Sequence, residues 1–246
     1  MKVFLTEKSL SGVLSSLYYS FTRNSFPDDV KDITLSERNF TDEYIVIEPD
    51  NSKSERVKNG VINYGGYRSL NAAKICLLSC EENAIKIAYE FLKLTLERCS
   101  CVIEDLSEKA VTDFLYAVNK VLYERHRFTG FIRFKETESG ILYAPYSPDN
   151  DITALLMPHF IRRFPALPFV IHDLKRNVVG ISDGKSFKMV KTERTAEISL
   201  SGSEKEWENL FRSYFKTVSI KERKNLKQQD NFLPRRYRKY MSETFE

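Results

Sequence analysis

The chain has 246 residues, of which 42% are hydrophobic, 29% charged and 13% aromatic, and its formal net charge is +4. This balance is ordinary for a globular protein and excludes a disordered chain. No stretch approaches the roughly 20 apolar residues that a membrane span needs, and the first residues do not resemble a signal peptide. We therefore expect a cytoplasmic protein without a membrane partner.

The N-terminal half is predicted to be rich in helices. A short strand over residues 2–5 precedes a helix that Ser9 or Ser11 would cap. Residues 26–63 are polar and predict irregular structure with two short strands, and the run from Asn63 to Gly66 predicts a turn. Helical spacing of apolar residues then extends from residue 69 to about residue 128.

The spacing of apolar residues changes at Gly130. Residues 131–135 alternate, and residues 140–145 follow after a polar turn, which predicts a hairpin. Helical spacing returns over residues 151–164, where Pro158 is expected to distort the helix. The sequence therefore predicts two paired strands followed by one helix in this segment.

The remaining segments complete a sheet and a C-terminal helix. Three short strands are predicted over residues 169–172, 177–182 and 186–190. A long helix over residues 203–218 and a basic tail follow. The predicted class is α+β: a helix-rich N-terminal part, then an antiparallel ββαβββ unit, then a C-terminal helix with a basic tail. We expect one continuous unit over residues 1–246, with a soft internal boundary near residue 129 that separates 1–129 from 130–246.

The four cysteines are spaced as Cys76-x-x-x-Cys80 and Cys99-x-Cys101. Neither pair has the C-x-x-C spacing of structural zinc sites, so we interpret them as buried, reduced thiols and expect no metal site. The sequence also has no P-loop, dinucleotide fingerprint, nucleophile elbow or zinc-protease motif. It therefore predicts no cofactor.

Positive charge is concentrated near the C-terminus. Between Arg212 and Tyr240, ten basic and two acidic residues give +8, so the rest of the chain carries −4. Aromatic residues alternate with these cations, which suits phosphate contact and base stacking, although a solvated helix with a basic tail has the same pattern. Together with a second basic cluster, the candidate nucleic-acid-binding residues are Arg127, Arg133, Arg162, Arg163, Arg223, Arg235, Arg236, Tyr237, Arg238 and Lys239.

The chain has three histidines, at positions 126, 159 and 172. His172-Asp173 ends a predicted strand, a common place for functional side chains. A histidine or carboxylate can act as a general base in hydrolysis, so the candidate catalytic residues are His172, Asp173 and His159. A structural histidine held by hydrogen bonds is the more common case.

Three motifs resemble those of a bacterial family of DNA metabolism proteins, a domain of unknown function. The run from His126 to Phe134 is similar to its H-R-x-x-G-F-x-R-F signature. Residues 158–165 are similar to its P-H-F-x-x-R-F-P, and Pro234-Arg235-Arg236-Tyr237 follows its C-terminal pattern. The resemblance covers roughly residues 1–241, with specific motifs only from His126 onwards.

The resemblance implies a setting in DNA repair. Family members are typically encoded beside a radical-SAM protein, and a related domain is fused to uracil-DNA-glycosylase-like modules. We therefore expect a DNA-binding accessory protein that acts with a radical-SAM partner in DNA repair or modification. Two alternatives stay open: a nuclease or glycosylase-like hydrolase that uses His172 and Asp173, and a protein-interaction scaffold without DNA contact.

Overall fold

The computed structural model describes residues 1–34, 38–192, 199–218 and 226–241. By its internal contacts the chain divides into two units, residues 1–123 and residues 124–246. Each unit contains helices and a sheet, in agreement with the predicted α+β class. The two units are described separately below.

The first unit is built on a parallel sheet. Strands β1 (Lys2–Thr6), β2 (Asp29–Asp32) and β3 (Glu43–Val46) pair in the order β2-β1-β3. The helices are α1 (Leu10–Arg23), α2 (Asn51–Cys76), α3 (Ala84–Glu97) and α4 (Lys109–Phe131), and the last of these continues into the second unit.

The central strand β1 and the helices enclose a large apolar core. Phe4 and Leu17 are fully buried, and the rings of Phe91 and Phe114 stack with centroids 3.7 Å apart. The Ser9 side chain accepts a hydrogen bond from the Gly12 backbone N–H and caps α1, which confirms one of the two predicted caps.

Helix α2 corrects the prediction of irregular structure over residues 26–63. It begins at Asn51 because the Asp50 side chain accepts a hydrogen bond from the Lys53 backbone N–H and caps its first turn. The predicted turn before residue 69 is reduced to a single non-helical residue, Gly66, with φ 73° and ψ 172°. A glycine adopts this backbone conformation without the steric cost that a side chain would add.

The second unit contains a five-stranded sheet in the order β4-β5-β6-β7-β8. Its strands are β4 (Lys135–Glu136), β5 (Leu142–Tyr146), β6 (Phe169–Asp173), β7 (Val178–Ser182) and β8 (Phe187–Lys191). The helices that begin in this unit are α5 (Thr153–Arg163), α6 (Gly202–Val218), α7 (Leu226–Phe232) and α8 (Arg235–Arg238).

The element order β4-β5-α5-β6-β7-β8 agrees with the prediction, but the predicted antiparallel pairing is wrong for one pair of strands. Strands β5 and β6 are parallel, with Leu142 opposite Phe169 and Tyr146 opposite Asp173. The reason is the connection between them, because parallel neighbours require a crossover such as the helix α5. The sheet is therefore mixed.

The predicted strand over residues 131–135 is also corrected. Helix α4 continues through Phe131, and β4 has two residues only. Phe128 and Phe131, which are three residues apart on the helix, both contact Tyr237, with ring centroids 4.7 Å and 6.2 Å away. Arg133 Nη1 then donates a hydrogen bond of 2.6 Å to the Gly130 carbonyl in the last turn of α4.

The two faces of the second sheet differ in what they contact. Gly180 faces α5, since a Cβ atom built on it would lie 2.5 Å from Met157 Sδ. Its partner Ile171 shares that face, and His172, the next residue along β6, points to the opposite face. His172 and Asp173 therefore lie on opposite sides of the sheet.

Candidate nucleic-acid interface

Three arginines gather around His159 in the second unit. Arg162 and Arg163 lie in the last turn of α5, one turn after His159, and both side chains are exposed. Arg125 comes from α4 and is partly buried. We name Arg125, Arg162 and Arg163 the arginine cluster.

The charge of the arginine cluster acts on His159. Burial lowers the pKa of His159, and the positive charges of Arg162, Arg163 and Arg125 lower it further. The His159 Nε2 atom and the Arg125 Nε atom are buried, and neither has a hydrogen-bond partner among the described residues. Burial and the neighbouring positive charges therefore both favour the neutral form of the imidazole over the protonated one.

The arginine cluster has no counter-charge in the part of the chain that the structure describes. None of its three guanidinium groups forms an ion pair with a described carboxylate, and Arg127 forms none either. Arg163 lies over the Phe164 ring, with 5.9 Å from its Cζ atom to the ring centroid. A planar guanidinium without a carboxylate partner is suited to bidentate contact with a phosphate.

The C-terminal arginines are arranged differently. Arg235 and Arg238 both pair with Asp230, and the hydrogen bonds that they donate are the main reason why the pKa of its carboxyl group is lowered, with their charges adding to the shift. Arg236 pairs with Asp149 and lies over the Tyr237 ring, 4.8 Å from the centroid. These three cations are therefore already partly neutralised within the second unit.

Three basic candidates remain: Lys239 and Arg223 of the basic tail, and Arg133 after α4. The Lys239 Nζ atom lies 5.3 Å from the centroid of the Tyr240 ring, and the side chain is exposed. Arg223 lies outside the described residues. Arg133 belongs to the end of α4, where it donates to backbone carbonyls, as described above.

Tyr237 is a core residue in this structure. Only 4% of its surface is exposed, and its hydroxyl donates a hydrogen bond of 2.6 Å to Glu124 Oε1. Burial is the main reason why the pKa of Tyr237 is raised, and the bond to Glu124 raises it further. The ring packs on Phe128, so it is not presented to a base in this arrangement.

Glu124 joins three segments of the second unit. Its buried carboxylate accepts hydrogen bonds from the Asp149 and Asn150 backbone N–H groups, at 2.8 Å and 2.7 Å. It also accepts bonds of 2.6 Å each from Asn150 Nδ2 and the Tyr237 hydroxyl. We name this carboxylate and its donors the Glu124 hub, and it connects α4 with the loop before α5 and with α8.

The two strand-end candidates for catalysis serve structural contacts. Asp173 is fully buried, and Arg176 Nη1 donates to its Oδ2 atom at 2.9 Å. Its Oδ1 atom accepts from the Lys175 and Arg176 backbone N–H groups. Both oxygens of the carboxylate are thus engaged by groups of the turn that follows β6.

His172 lies across the sheet from Asp173 and is 4% exposed. Its Nδ1 atom shares a hydrogen bond of 2.8 Å with the Tyr143 hydroxyl, and its buried Nε2 atom has no partner among the described residues. Burial lowers the pKa of His172, and the nearby Asp173 charge opposes this shift less strongly. The structure does not bring His172 and Asp173 together as a catalytic pair.

Residues 82–243 match the model of a family described as a domain of unknown function, DUF4130. This match spans about two thirds of the chain. The chain belongs to the DUF4130 family. No curated protein and no solved structure matches the chain. The arginine cluster and the Glu124 hub lie entirely within the DUF4130 region.

Two further features of the described part of this DUF4130 protein concern membranes and metal ions. None of its helices combines the length and apolar character needed to cross a membrane. Nowhere in the described ranges do three or more His, Cys, Asp or Glu side chains come together in a way that would hold a metal ion. All four cysteines are free thiols, but the expected burial is wrong for three of them, since Cys76 is buried and Cys80, Cys99 and Cys101 are exposed.

The sequence analysis missed two charged groups that organise the DUF4130 region. Arg125 belongs to the arginine cluster. It lies on α4, more than 30 residues before His159, so its proximity to His159 on α5 is not visible in the sequence. Arg176 holds Asp173 and the Pro148 carbonyl, and it lies in a turn without any motif. Its position three residues after an aspartate was the available signal.

Proposed function

We propose that this protein binds DNA through the arginine cluster and acts as an accessory protein in DNA repair or modification. One observation carries the proposal: Arg125, Arg162 and Arg163 have no described carboxylate partner and lie close enough to His159 to lower its pKa. Concentrated positive charge without counter-ions within the protein favours an anionic partner. The phosphates of DNA are anions of this kind, spaced along a chain.

DNA is preferred over other anions because of the family motifs. Arg163 and His159 belong to the P-H-F-x-x-R-F-P resemblance, and that family resemblance implies a setting in DNA repair. The same resemblance supports a radical-SAM protein as the partner that performs the chemistry. The proposal that the chain itself is accessory is supported by the contacts of Asp173 and His172, which leave neither group exposed to a substrate.

The proposed interface is smaller than the one expected from the sequence. It retains Arg162 and Arg163 and adds Arg125. It also includes Arg127, which lies on α4 with Arg125 and has no ion pair with a carboxylate among the described residues. Arg235, Arg236 and Arg238 are secondary contributors because each would have to leave a carboxylate to contact a phosphate.

A structural role for Arg162 and Arg163 is the competing explanation. Cations in the last turn of a helix are stabilised by the helix dipole, and this effect needs no ligand. The two explanations differ in what a charge reversal changes. If the two arginines only interact with the helix dipole, reversing their charge lowers the stability of α5 by about 1 kcal/mol or less. If they bind phosphate, the same reversal lowers the affinity for DNA.

The test is fluorescence anisotropy of the full chain with labelled single- and double-stranded DNA over a salt series. The double variant Arg162→Glu with Arg163→Glu is expected to lower DNA affinity at least about ten-fold and to reduce the slope of log K against log salt by about 2 on duplex DNA. The matched control is Lys185→Glu with Lys188→Glu, which makes the same change in net charge at two exposed lysines of the same unit. We expect the control to bind DNA nearly as the original chain does.

Three outcomes would contradict the proposal. No DNA binding at low salt would exclude DNA contact and favour the scaffold alternative. Equal loss of affinity in both double variants would show a general charge effect without a defined site. Cleaved or alkali-labile DNA on a denaturing gel, abolished by His172→Ala, would favour the hydrolase alternative.

A further inference from the structure

The turn that follows α5 presents an uninterrupted run of apolar residues to solvent. Pro165, Ala166, Leu167 and Pro168 are all exposed, and 50% of the surface of Leu167 is accessible. Single exposed apolar side chains are ordinary on protein surfaces. A longer run without any polar side chain is unusual in a folded protein and indicates a contact surface. We name residues 165–168 the apolar tip.

Both ends of the apolar tip are fixed to the interior of the second unit. The centroid of the Phe164 ring lies 5.1 Å from that of Phe134 and 6.2 Å from that of the fully buried Phe169. At the other end, the Leu142 backbone N–H donates a hydrogen bond of 3.1 Å to the Pro168 carbonyl. The exposed residues are therefore held between two anchored points.

The backbone of the apolar tip has an unfavourable conformation. The Leu167 N–H donates at 3.3 Å to the Phe164 carbonyl and closes a β-turn, in which Ala166 has φ 63°. A positive φ at this turn position favours glycine, because the Cβ atom of any other residue is crowded there. An alanine keeps this conformation only where the surrounding structure enforces it.

Gly184, in the turn between β7 and β8, supplies this constraint. A Cβ atom built on Gly184 would lie 2.6 Å from the Ala166 nitrogen and 2.7 Å from the Leu167 nitrogen, so the two backbones are in direct contact. Only a glycine permits such a close approach. The apolar tip is therefore backed by a second turn, and we expect it to keep its shape when it contacts another molecule.

Two members of the arginine cluster immediately precede the apolar tip. Arg162 and Arg163 are exposed in the last turn of α5, and neither forms an ion pair with a described carboxylate. The Arg163 Cζ atom lies 5.9 Å from the centroid of the Phe164 ring, and Phe164 begins the β-turn. Positive charge and exposed apolar surface are thus adjacent. Duplex DNA offers the complementary pair, since its phosphates flank a stack of flat bases.

We propose that the apolar tip is a wedge that enters the base stack of duplex DNA while Arg162 and Arg163 hold the neighbouring phosphates. The inference rests on the proposed DNA contact and adds what the protein does to the bound DNA. Leu167 separates two neighbouring base pairs, and the prolines at both ends of the tip limit its backbone freedom. Apolar side chains that insert between base steps unstack them and kink the duplex. Unstacking costs least at a mismatched or damaged base, so we expect the tip to favour such a site.

A turn that only ends α5 is the competing explanation. Proline is common shortly after a helix end because it cannot continue the helix, and this accounts for Pro165. It does not account for the exposed Leu167 or for an alanine with positive φ. A turn with no other role is expected to have glycine or asparagine at position 166 and polar residues beside it.

The test is the fluorescence of 2-aminopurine within a DNA duplex, because this base analogue emits more strongly when it leaves the stack. One duplex has the analogue opposite thymine, as a matched pair, and another has it opposite cytosine, as a mispair. Anisotropy of the same duplexes, labelled at one end, measures binding. The full chain is expected to raise the emission at least about two-fold on the mispaired duplex and less on the matched one.

The residue-level test is Leu167→Ala, a change at an exposed position that leaves the anchors of the turn in place. We expect most of the rise in emission to be lost, while the affinity changes by less than about ten-fold because the contacts between arginine and phosphate remain. Leu167→Met keeps a long apolar side chain and is expected to retain the rise. The matched control is Ile181→Ala, which shortens an apolar residue of β7 that is 45% exposed and should leave both measurements unchanged.

The outcomes separate the wedge from the proposed function. Binding without a rise in emission, or a rise that Leu167→Ala leaves in place, would refute the wedge and leave the DNA contact standing. Equal loss of the rise in Ile181→Ala would show that the unstacking does not come from the apolar tip. Absence of binding at low salt would overturn the proposed function and the wedge together.

Discussion

The two units bury different kinds of polar groups. Among the described residues of the first unit, the buried polar side chains are all hydroxyls, at positions 6, 15, 16, 20, 54, 69, 79 and 95. The second unit buries Glu124, Asn150, His172 and Asp173 in addition to hydroxyls. One unit therefore hides neutral groups, and the other hides carboxylates, an amide and an imidazole.

Several buried hydroxyls of the first unit form local bonds within their helices, although Thr6 and Ser20 also form long-range bonds with Ile47 and Tyr89. The buried hydroxyls of Ser16, Ser20 and Thr95 each donate to the carbonyl four residues earlier in their own helix. The Glu124 hub instead joins segments that are more than 20 residues apart in the sequence. Buried carboxylates therefore contribute to the tertiary structure of the second unit, whereas the buried polar side chains of the first unit are neutral.

The largest expected effect follows from Glu124→Ala. The substitution removes the Glu124 acceptor from two backbone N–H groups and from the Asn150 side chain, and it leaves the Tyr237 hydroxyl with only the longer bond of 3.3 Å to Asp149 Oδ2. We expect the free energy of unfolding of the second unit to fall by at least about 3 kcal/mol. Native-state hydrogen exchange of the amides in β5 to β7 measures it.

The control for Glu124→Ala is Glu108→Ala in the first unit. Glu108 is partly exposed and pairs with Arg98, so its loss is expected to cost about 1 kcal/mol or less. If the two alanine variants were equally stable, the Glu124 hub would not be a structural centre, and the comparison between the units would fail.

A smaller effect is expected in the second unit over the pH range in which histidines titrate, because all three histidines lie in that unit. The pKa of His172 is lowered in the folded state, so the unfolded chain binds its proton first as the pH falls. The contribution of His172 to the free energy of unfolding should therefore be fully present above its pKa in the unfolded chain, about 6.5, and be lost as the pH falls through its lower pKa in the folded state. Hydrogen exchange at several pH values compares the protection of amides in β6 of the second unit with that of amides in α3 of the first.

The variant His172→Gln is expected to remove this part of the pH dependence. His126→Gln is the matched control, because His126 is exposed. An unchanged pH dependence in His172→Gln would assign the effect to another group.

The smallest effect is expected from Ser16→Ala in the first unit. The hydroxyl donates at 2.9 Å to the Gly12 carbonyl of its own helix, so its loss removes a local bond and leaves the tertiary contacts in place. The change in the free energy of unfolding should be about 1 kcal/mol or less, measured by urea denaturation. A loss comparable with that of Glu124→Ala would contradict the distinction between local and long-range bonds.

Much of the fold was accessible from local sequence signals. Strand β1, the Ser9 cap, and strands β6 to β8 follow patterns of alternation, capping and turns within a few residues. The parallel pairing of β5 with β6 was missed because a hairpin and a crossover leave the same alternation in each strand. The end of α4 was misplaced because residues 131–135 alternate, although Phe131 packs at helical spacing.

The candidate site was less predictable than the fold. Charge counting found Arg162 and Arg163, but it could not distinguish them from Arg235 and Arg238, which share Asp230. Pairing depends on which acid lies nearby in space. For the same reason Tyr237 was interpreted as a surface ring, whereas its partner Glu124 lies 113 residues earlier in the sequence.

The bond between Ser20 and Tyr89 has a practical consequence for truncation. The two hydroxyls lie 2.7 Å apart, and both residues are completely buried. A fragment that starts at residue 82, where the family match begins, would keep Tyr89 and lose α1 with Ser20. Such a fragment would expose the apolar side of α3 to solvent, so expression trials on this protein are better served by the intact first unit.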